Sequence, residues 1–382
     1  MLQHLRNRIL FLYTSGRKER IEKAIEGEAP LEFLYGYTHF KENGKNVDYM
    51  ETNYLRPPKL SLEYWRLRNL NKAFARDVGI GSRSHFFVNQ IQNLNRYDVF
   101  IATTDSIALG LAHHKKKGRL KGEIIYLNMG LAGVLDKLKQ VNNEAYQERK
   151  ENCGVLLGHC RKVVSLGKGE HGFFDTQYPE LEDKFVFIPF GIDTDFWRPS
   201  GISARNAEPY ILFVGNDLNR DFELLLNIAS NCSDMRFKFV TSRLSPSVCP
   251  RNVELISGKW QSAILSDQGL RSLYGRCMMV IIPLKESLQP SGQSVALQAM
   301  ACGKPVVITK TRGFWDLSEF EDNKHLVFCE LNNLEEWVRK ISSLIEDDEF
   351  RSLLWSESRK LVKEKYNSRN FSEKLAKMSF LT

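Results

Sequence analysis

The sequence predicts an α/β protein made of two Rossmann-like, doubly wound domains facing across a cleft, and three observations lead there. Candidate strands alternate with helix-patterned segments along the whole chain. The alternation runs through two successive halves, separated by a polar stretch at 199–209 that is bracketed by prolines. At 382 residues the chain also exceeds what one hydrophobic core usually organises, so two domains of roughly 150–200 residues each are expected.

In the first half, strands are read at 9–14, 47–51, 99–102, 124–127, 163–165 and 185–188, because each is a short apolar run too brief for a helix. Segments with helical spacing, such as 60–74 and 106–114, fill the gaps. The second half repeats the idea with strands at 210–214, 237–241, 253–256, 279–282, 306–308 and 326–328, and helical patterns dominate from 334 onward. The expected division is a first domain over 1–199, a second over 200–365, and a final helix, 366–382, that returns to the first domain.

Composition narrows the class. Hydrophobic residues make up 42%, which is ordinary for a globular protein, and no apolar run approaches the roughly 18 residues a membrane span requires. The apolar start at 9–13 is too short for a secretory signal, and the seven scattered cysteines form no C-x-x-C pair, so reduced thiols and a cytoplasmic location are expected. The net charge of +8 is uneven: residues 1–198 carry 30 basic and 24 acidic groups, a net of +6, leaving +2 for the rest. The densest basic patch runs from His113 and His114 through Lys115, Lys116, Lys117, Arg119 and Lys121, and a second stripe is Trp65, Arg68, Lys72 and Arg76. Such a face suits an anionic membrane surface or a phosphate-bearing acceptor, and equally a plain solvated surface on which His113 and His114 are expected to be hydrated. No nucleic-acid-binding motif accompanies the charge, so no nucleic-acid partner is expected.

The stretch QPSGQSVALQAMACGKPVVI at 289–308 is the strongest chemical signal. A Ser-Gly turn, a helix, a Gly stop and an all-apolar strand follow one another, an order that builds a phosphate site. Glycine lets a ligand approach the backbone, and the helix start offers unpaired N–H groups. A second strand–Gly–helix unit, ILFVGNDLNRDFELLL at 211–226, places Gly215 and then Arg220 at the mouth of a helix. In a doubly wound sheet both loops lie beyond the carboxyl ends of strands, where they can share one crevice. There Arg220 is placed to grip a diphosphate; the alternative is that Arg220 and Asp221 merely begin a surface helix.

In the first half the strand at 99–102 leads to Thr104, Asp105 and Ser106. Asp105 is the candidate general base or acceptor-binding carboxylate, and the alternative is the N-cap of the helix that follows. Ser15 and Gly16 occupy the analogous loop after the first strand. His171 lies in a helix-like segment and is expected to be structural. No D-x-D-like pair at a strand end and no H-E-x-x-H occur, so no metal site is expected.

With these segments in view, the second half resembles the donor-binding domain of GT-B glycosyltransferases, and family 4 (glycosyl transferases group 1) in particular. VFIPFGIDTDFWRP at 186–199 resembles the family's interdomain signature, 211–226 its diphosphate loop, and LYGRCMMVIIPLKESLQPSGQSVALQAMACGKPVV at 273–307 its donor-sugar and ribose motif. The resemblance implies a GT-B fold and sugar transfer from a nucleotide-diphosphate sugar, used as donor substrate with no cofactor, to a glycan or lipid-linked glycan acceptor. It implies that Gly215 lines the diphosphate and Arg220 supplies the cation, with Asn216 where many relatives have a second cation. Gly292, Gln293 and Ser294 would face the sugar and distal phosphate, and Gln298 the ribose. The family's retaining members carry Glu-x7-Glu here; this chain has Pro290 and Gln298, with Gln289 or Glu286 the nearest substitutes. Retention of configuration remains the favoured outcome. Asn128 stands where relatives often have a histidine, and Trp260 is a candidate neighbour of the base. The alternatives are a sugar-nucleotide epimerase of the same build, or a non-catalytic scaffold that binds membrane or nucleic acid through the basic stripes.

Overall fold

The computed structural model describes residues 7–52, 57–199, 209–257 and 265–379. The chain divides into two compact units. One comprises the described residues up to Glu22, Leu34–Pro189 and the stretch from Phe371 onward; the other comprises Lys23–Phe33 and Phe190–Asn370. The stretch Lys23–Phe33, read from sequence as part of the first domain, thus belongs with the second unit. Most of the proline-bracketed stretch at 199–209 lies outside the described residues.

The first unit is built on β1 (Ile9–Tyr13), β2 (Val47–Glu51), β3 (Val99–Ala102), β4 (Glu123–Leu127), β5 (Lys162–Ser165) and β6 (Phe185–Phe187), in the order β2-β1-β3-β4-β5-β6. Every neighbouring pair is parallel. A parallel sheet needs a crossover between successive strands and is covered on both faces, so its inner strands must be apolar throughout. β1 and β3 are buried at every residue, whereas edge strand β2 is buried only at its ends. Leu10, Leu12, Phe100, Ile124, Tyr126 and Val163 pack against Phe74, Phe87, Ile107, Leu111 and Leu157 of the covering helices.

The second unit holds β7 (Tyr210–Val214), β8 (Arg236–Val240), β9 (Val253–Ile256), β10 (Met279–Ile282), β11 (Val306–Thr309) and β12 (Val327–Cys329), in the order β12-β11-β10-β7-β8-β9. Its pairs are likewise all parallel. Ile211, Phe213, Phe239, Ile281 and Val307 form its core with Leu225, Ile228, Trp337, Ile341 and Leu354. All twelve strands read from the sequence are present, with ends shifted by a residue at most. No helix among the described residues is long and apolar enough to cross a membrane, and all seven cysteines are free.

The helix Gln293–Ala301 leads into β11 through Gly303, whose φ of +75° lets its N–H bond Met300 O at 3.0 Å and the Lys304 N–H bond Ala299 O at 2.9 Å. This closes the helix as a left-handed cap. A Cβ at this position would come within 2.5 Å of Trp355 Cδ1. Replacing Gly303 by Ala is therefore expected to cost about 1–3 kcal/mol through the strained backbone, read as a lower urea midpoint at unchanged slope.

Candidate functional site

The strand order of the second unit reverses between β7 and β10, and a doubly wound sheet opens a crevice beyond the carboxyl ends of the two strands flanking such a reversal. The segment after β7 begins with Gly215, and the segment after β10 runs from Pro283 to Gly292. Backbone bonds tie the two together: the Asp221 N–H donates to Pro283 O at 3.0 Å, the Lys285 N–H to Asn219 O at 2.8 Å, and Arg220 bridges to Leu284. The Asn219 side-chain amide donates to Gln289 Oε1 at 3.0 Å and Ser291 Oγ at 2.9 Å. The topology thus brings the two glycine turns into one place.

Arg220 stands at that junction. Only 3% of it is exposed. A Cβ on Gly215 would lie 3.0 Å from Arg220 Cδ, and one on Gly292 would lie 2.8 Å from Nη1, so the guanidinium runs between the two glycines and needs both bare. Asp217 Oδ2 is 2.9 Å from Nε, an ion pair whose direction leaves Nε without a well-formed hydrogen bond, and Nη1 has no partner among the described atoms. Burial lowers the pKa of the group; Asp217 and Tyr274 oppose that shift. A buried guanidinium missing hydrogen bonds is costly, and an anion would complete it.

The helix Gln293–Ala301 starts beside it. Gly292 is its N-cap with φ +81° and offers no side-chain acceptor, whereas the helix Phe222–Asn231 is capped by Asp221, which accepts the Leu224 N–H at 3.0 Å. Gln293 is buried and Ser294 partly so at the first turn. Asn216 is tied to the segment after β8: its Oδ1 accepts the Ser242 N–H at 2.7 Å and the Thr241 hydroxyl at 3.1 Å. Glu286 is engaged by the Arg312 N–H at 3.2 Å, and the Pro290 carbonyl accepts the Gln293 N–H at 3.4 Å.

Gln298, one and a half turns further along, is 4% exposed. Its Nε2 donates to Glu32 Oε1 at 2.9 Å and its Oε1 accepts from Tyr274 at 3.3 Å. Glu32 also accepts the Trp197 indole N–H at 2.8 Å and the Asp193 N–H at 3.2 Å. The segment resembling the interdomain signature is therefore bolted to a glutamate that sequence reasoning missed. No local pattern could reveal it, because the partners are 165 and 266 residues apart. Trp260 lies outside the described residues.

In the first unit Asp105 does not cap its own helix; Thr104 holds the N-cap position. The N-cap alternative is thereby corrected: the carboxylate instead reaches across to β4, accepting the Tyr126 hydroxyl at 2.6 Å and the Met129 N–H at 2.8 Å. Its pKa is raised by burial, against the pull of those bonds. Next to it, Asn128 and Glu170 are fully buried, and Glu170 closes no well-formed hydrogen bond at either carboxyl oxygen. Burial and then the Asp105 charge push the Glu170 pKa well above the carboxylate range, opposed by Asn128 and the Leu166 amide. Glu170 sits in the first turn after β5, the place Asp105 takes after β3, and that shared position was the available signal. The loop after β1 is closed differently: Glu51 accepts the N–H groups of Arg17 and, at 2.8 Å, Lys18 at the start of the helix Arg17–Ile25. His114 is not hydrated as expected. It is 7% exposed and packed against Phe87, and burial lowers its pKa to about 4. His171 pairs with Asp175 at 3.6 Å. Among the described residues, no group of His, Cys, Asp and Glu is arranged to hold a metal ion.

Residues 208–347 match the family described as glycosyl transferases group 1. Comparison with curated proteins gives no match. Solved structures with similar folds include Anabaena HepE in complex with UDP and glucose, with a TM-score of 0.68 at 15% identity over 97% of this chain and 98% of that one. Sucrose-phosphate synthase from Thermosynechococcus elongatus gives 0.68 at 14% identity, covering 98% of each chain. A glycosyltransferase from Rickettsia africae gives 0.63 at 14% identity, again over 98% of each. The chain resembles group 1 glycosyltransferases as its motifs imply: its fold is GT-B, and its second unit carries a glycosyltransferase domain.

Because the folded pKa of Glu170 is raised, its neutral form favours folding, and that contribution is lost as pH rises from the unfolded carboxylate range through the folded value. Glu170→Gln, neutral at every pH, is expected to stabilise the protein at pH 8 and to give no gain near pH 4, as measured by urea denaturation across that range.

Proposed function

We propose that this protein transfers a sugar from a nucleotide-diphosphate donor to a glycan or lipid-linked glycan acceptor of the cell-surface polysaccharide kind. The observation that carries the reading is the buried Arg220, with an unpartnered Nη1 beside the uncapped helix start at Gly292. A leaving nucleoside diphosphate gathers negative charge as the anomeric bond breaks. A fixed guanidinium together with helix N–H groups stabilises that charge without reorganising. In this reading they fill the role a divalent cation would otherwise take, so the reaction proceeds without a metal. The UDP bound by Anabaena HepE supports a nucleotide as the ligand of this crevice.

The second step of the reading is stereochemical. At the strand ends of the first unit Asp105 is held at one oxygen by Tyr126 and Met129 while remaining partly exposed, and Glu170 is fully buried. Asp105 is assigned to the acceptor, and transfer with retention of configuration is the favoured outcome. Gln293 and Ser294 are assigned to the sugar and distal phosphate, and Gly215 and Asn216 to the wall of the diphosphate pocket.

For the acceptor side, the first unit has a groove of about 860 Å³ whose apolar wall includes Leu70 and Val88 and whose rim carries Arg66, Lys116, Lys117 and Arg119. It suits an anionic amphiphile, and with it peripheral attachment to an anionic membrane on the cytoplasmic side.

Isothermal titration with a panel of nucleoside diphosphates is expected to find one that binds, and Arg220→Ala to weaken it about 10- to 100-fold, the worth of a charge-assisted hydrogen bond of roughly 1.5–3 kcal/mol. Absence of binding by every member of the panel would refute the reading. Sedimentation with vesicles is expected to show binding to anionic and not to neutral lipid, reduced by raised salt and by Lys116→Glu with Lys117→Glu. Equal binding to both lipids would refute the membrane component.

A further inference from the structure

Gln298 is held in one orientation by chemistry that leaves no choice. Glu32 can only accept, so the amide nitrogen must face it, at 2.9 Å. The amide oxygen then faces the Tyr274 hydroxyl at 3.3 Å. Glu32 is itself fixed by the Trp197 indole at 2.8 Å and the Asp193 N–H at 3.2 Å, and only 2% of it is exposed. A glutamine so bracketed keeps one unused N–H and one unused lone pair, in a known arrangement. That pair is the complement of a vicinal diol, which can accept at one oxygen and donate from the other. The helix carrying Gln298 begins at the phosphate turn, six residues earlier, about 9 Å along the axis at 1.5 Å per residue. Tyr274 links the two ends: it faces Gln298 on one side and is coupled to Arg220 on the other.

We propose that Glu32 is a positioning residue for the nucleotide: by fixing the Gln298 amide it makes the site read the ribose diol, so that ribonucleotides are preferred over 2′-deoxyribonucleotides. The inference rests on the nucleotide-sugar reading above and adds the residue that sets its sugar specificity. A negative charge supplied by Lys23–Phe33, far away in the chain, acts through a neutral amide on the helix that faces the ligand.

The test compares matched ribo- and 2′-deoxyribonucleoside diphosphates of each base by calorimetry on the full chain. The wild type is expected to prefer the ribo form by about 3- to 10-fold, the range of one neutral hydrogen bond. Glu32→Gln frees the Gln298 amide to turn, and the preference is expected to fall below 2-fold, with weaker binding of the ribonucleotide. The exchange of both residues, Glu32→Gln with Gln298→Glu, restores one carboxylate and one amide in contact and is expected to recover the preference. It carries the test should Glu32→Gln alone fail to fold. A merely structural role would lower the thermal midpoint and leave the ribo-to-deoxy ratio unchanged. That unchanged ratio in Glu32→Gln, or a folded double variant without recovered preference, overturns the inference while nucleotide binding stands. Failure of every ribonucleotide to bind the wild type removes the functional reading itself.

Discussion

The second unit is organised around one unsatisfied cation. Arg220 is almost wholly removed from water, and among the described residues it is paired with one carboxylate, Asp217, in an indirect geometry. Charged groups are rarely buried on such terms, because desolvation costs several kcal/mol and the residual pairing recovers only part of it. The surrounding chain is shaped to sustain the arrangement. Gly215 and Gly292 are bare where a methyl group would strike the guanidinium, and Asn219 stitches the Arg220 segment to Gln289 and Ser291. The strand order supplies the location, since only at the β7–β10 reversal do the two following segments diverge enough to leave a crevice.

The first unit shows what the same layout looks like when the anion is built in. It too has a parallel sheet with a reversal, between β1 and β3, and a helix that starts just past Gly16. There Glu51, at the end of β2, lays its carboxylate across the N–H groups of Arg17 and Lys18. A carboxylate at a helix start contributes roughly 0.3–1 kcal/mol, more when partly buried. In the second unit the N-cap of the corresponding helix is Gly292, which makes no side-chain cap bond. The two units share one architecture and differ at this helix start, where a carboxylate lies across the first N–H groups in one and the N-cap Gly292 carries no capping side chain in the other.

Much of this was legible because it is encoded locally. The strands were readable as short apolar runs, since a sheet covered on both faces requires every residue of its inner strands to be apolar, and β1, β3, β10 and β11 are buried throughout. Gly292 and Gly303 were readable because only glycine adopts φ near +80° without strain, and Arg220 because it follows a strand–Gly turn. What escaped were partnerships across long sequence separations. Glu32 looks like any surface glutamate until Trp197 and Gln298 are folded onto it, and Glu170 looks like an ordinary first-turn acid until β3 and β4 bring Asp105 and Asn128 beside it. His114, read as hydrated from its lysine-rich surroundings, is buried because the helix face it occupies packs on Phe87.

The buried carboxyls of the two units show opposite solutions to one problem. Glu32 accepts N–H groups from Trp197, Gln298 and Asp193, a donor set that suits a carboxylate. Glu170 has no such set and lies close to Asp105, whose own oxygen is already committed to Tyr126 and Met129, so the neutral acid is the form its surroundings favour. The difference follows from what each residue is asked to face. An ionised Glu32 can hold an amide in one orientation, because it accepts from every direction and donates in none. A neutral Glu170 both accepts and donates, and so imposes no such direction on Asn128. Fixed polarity therefore sits beside the unfilled Arg220, whereas burial and the neighbouring Asp105 favour the neutral acid at Glu170.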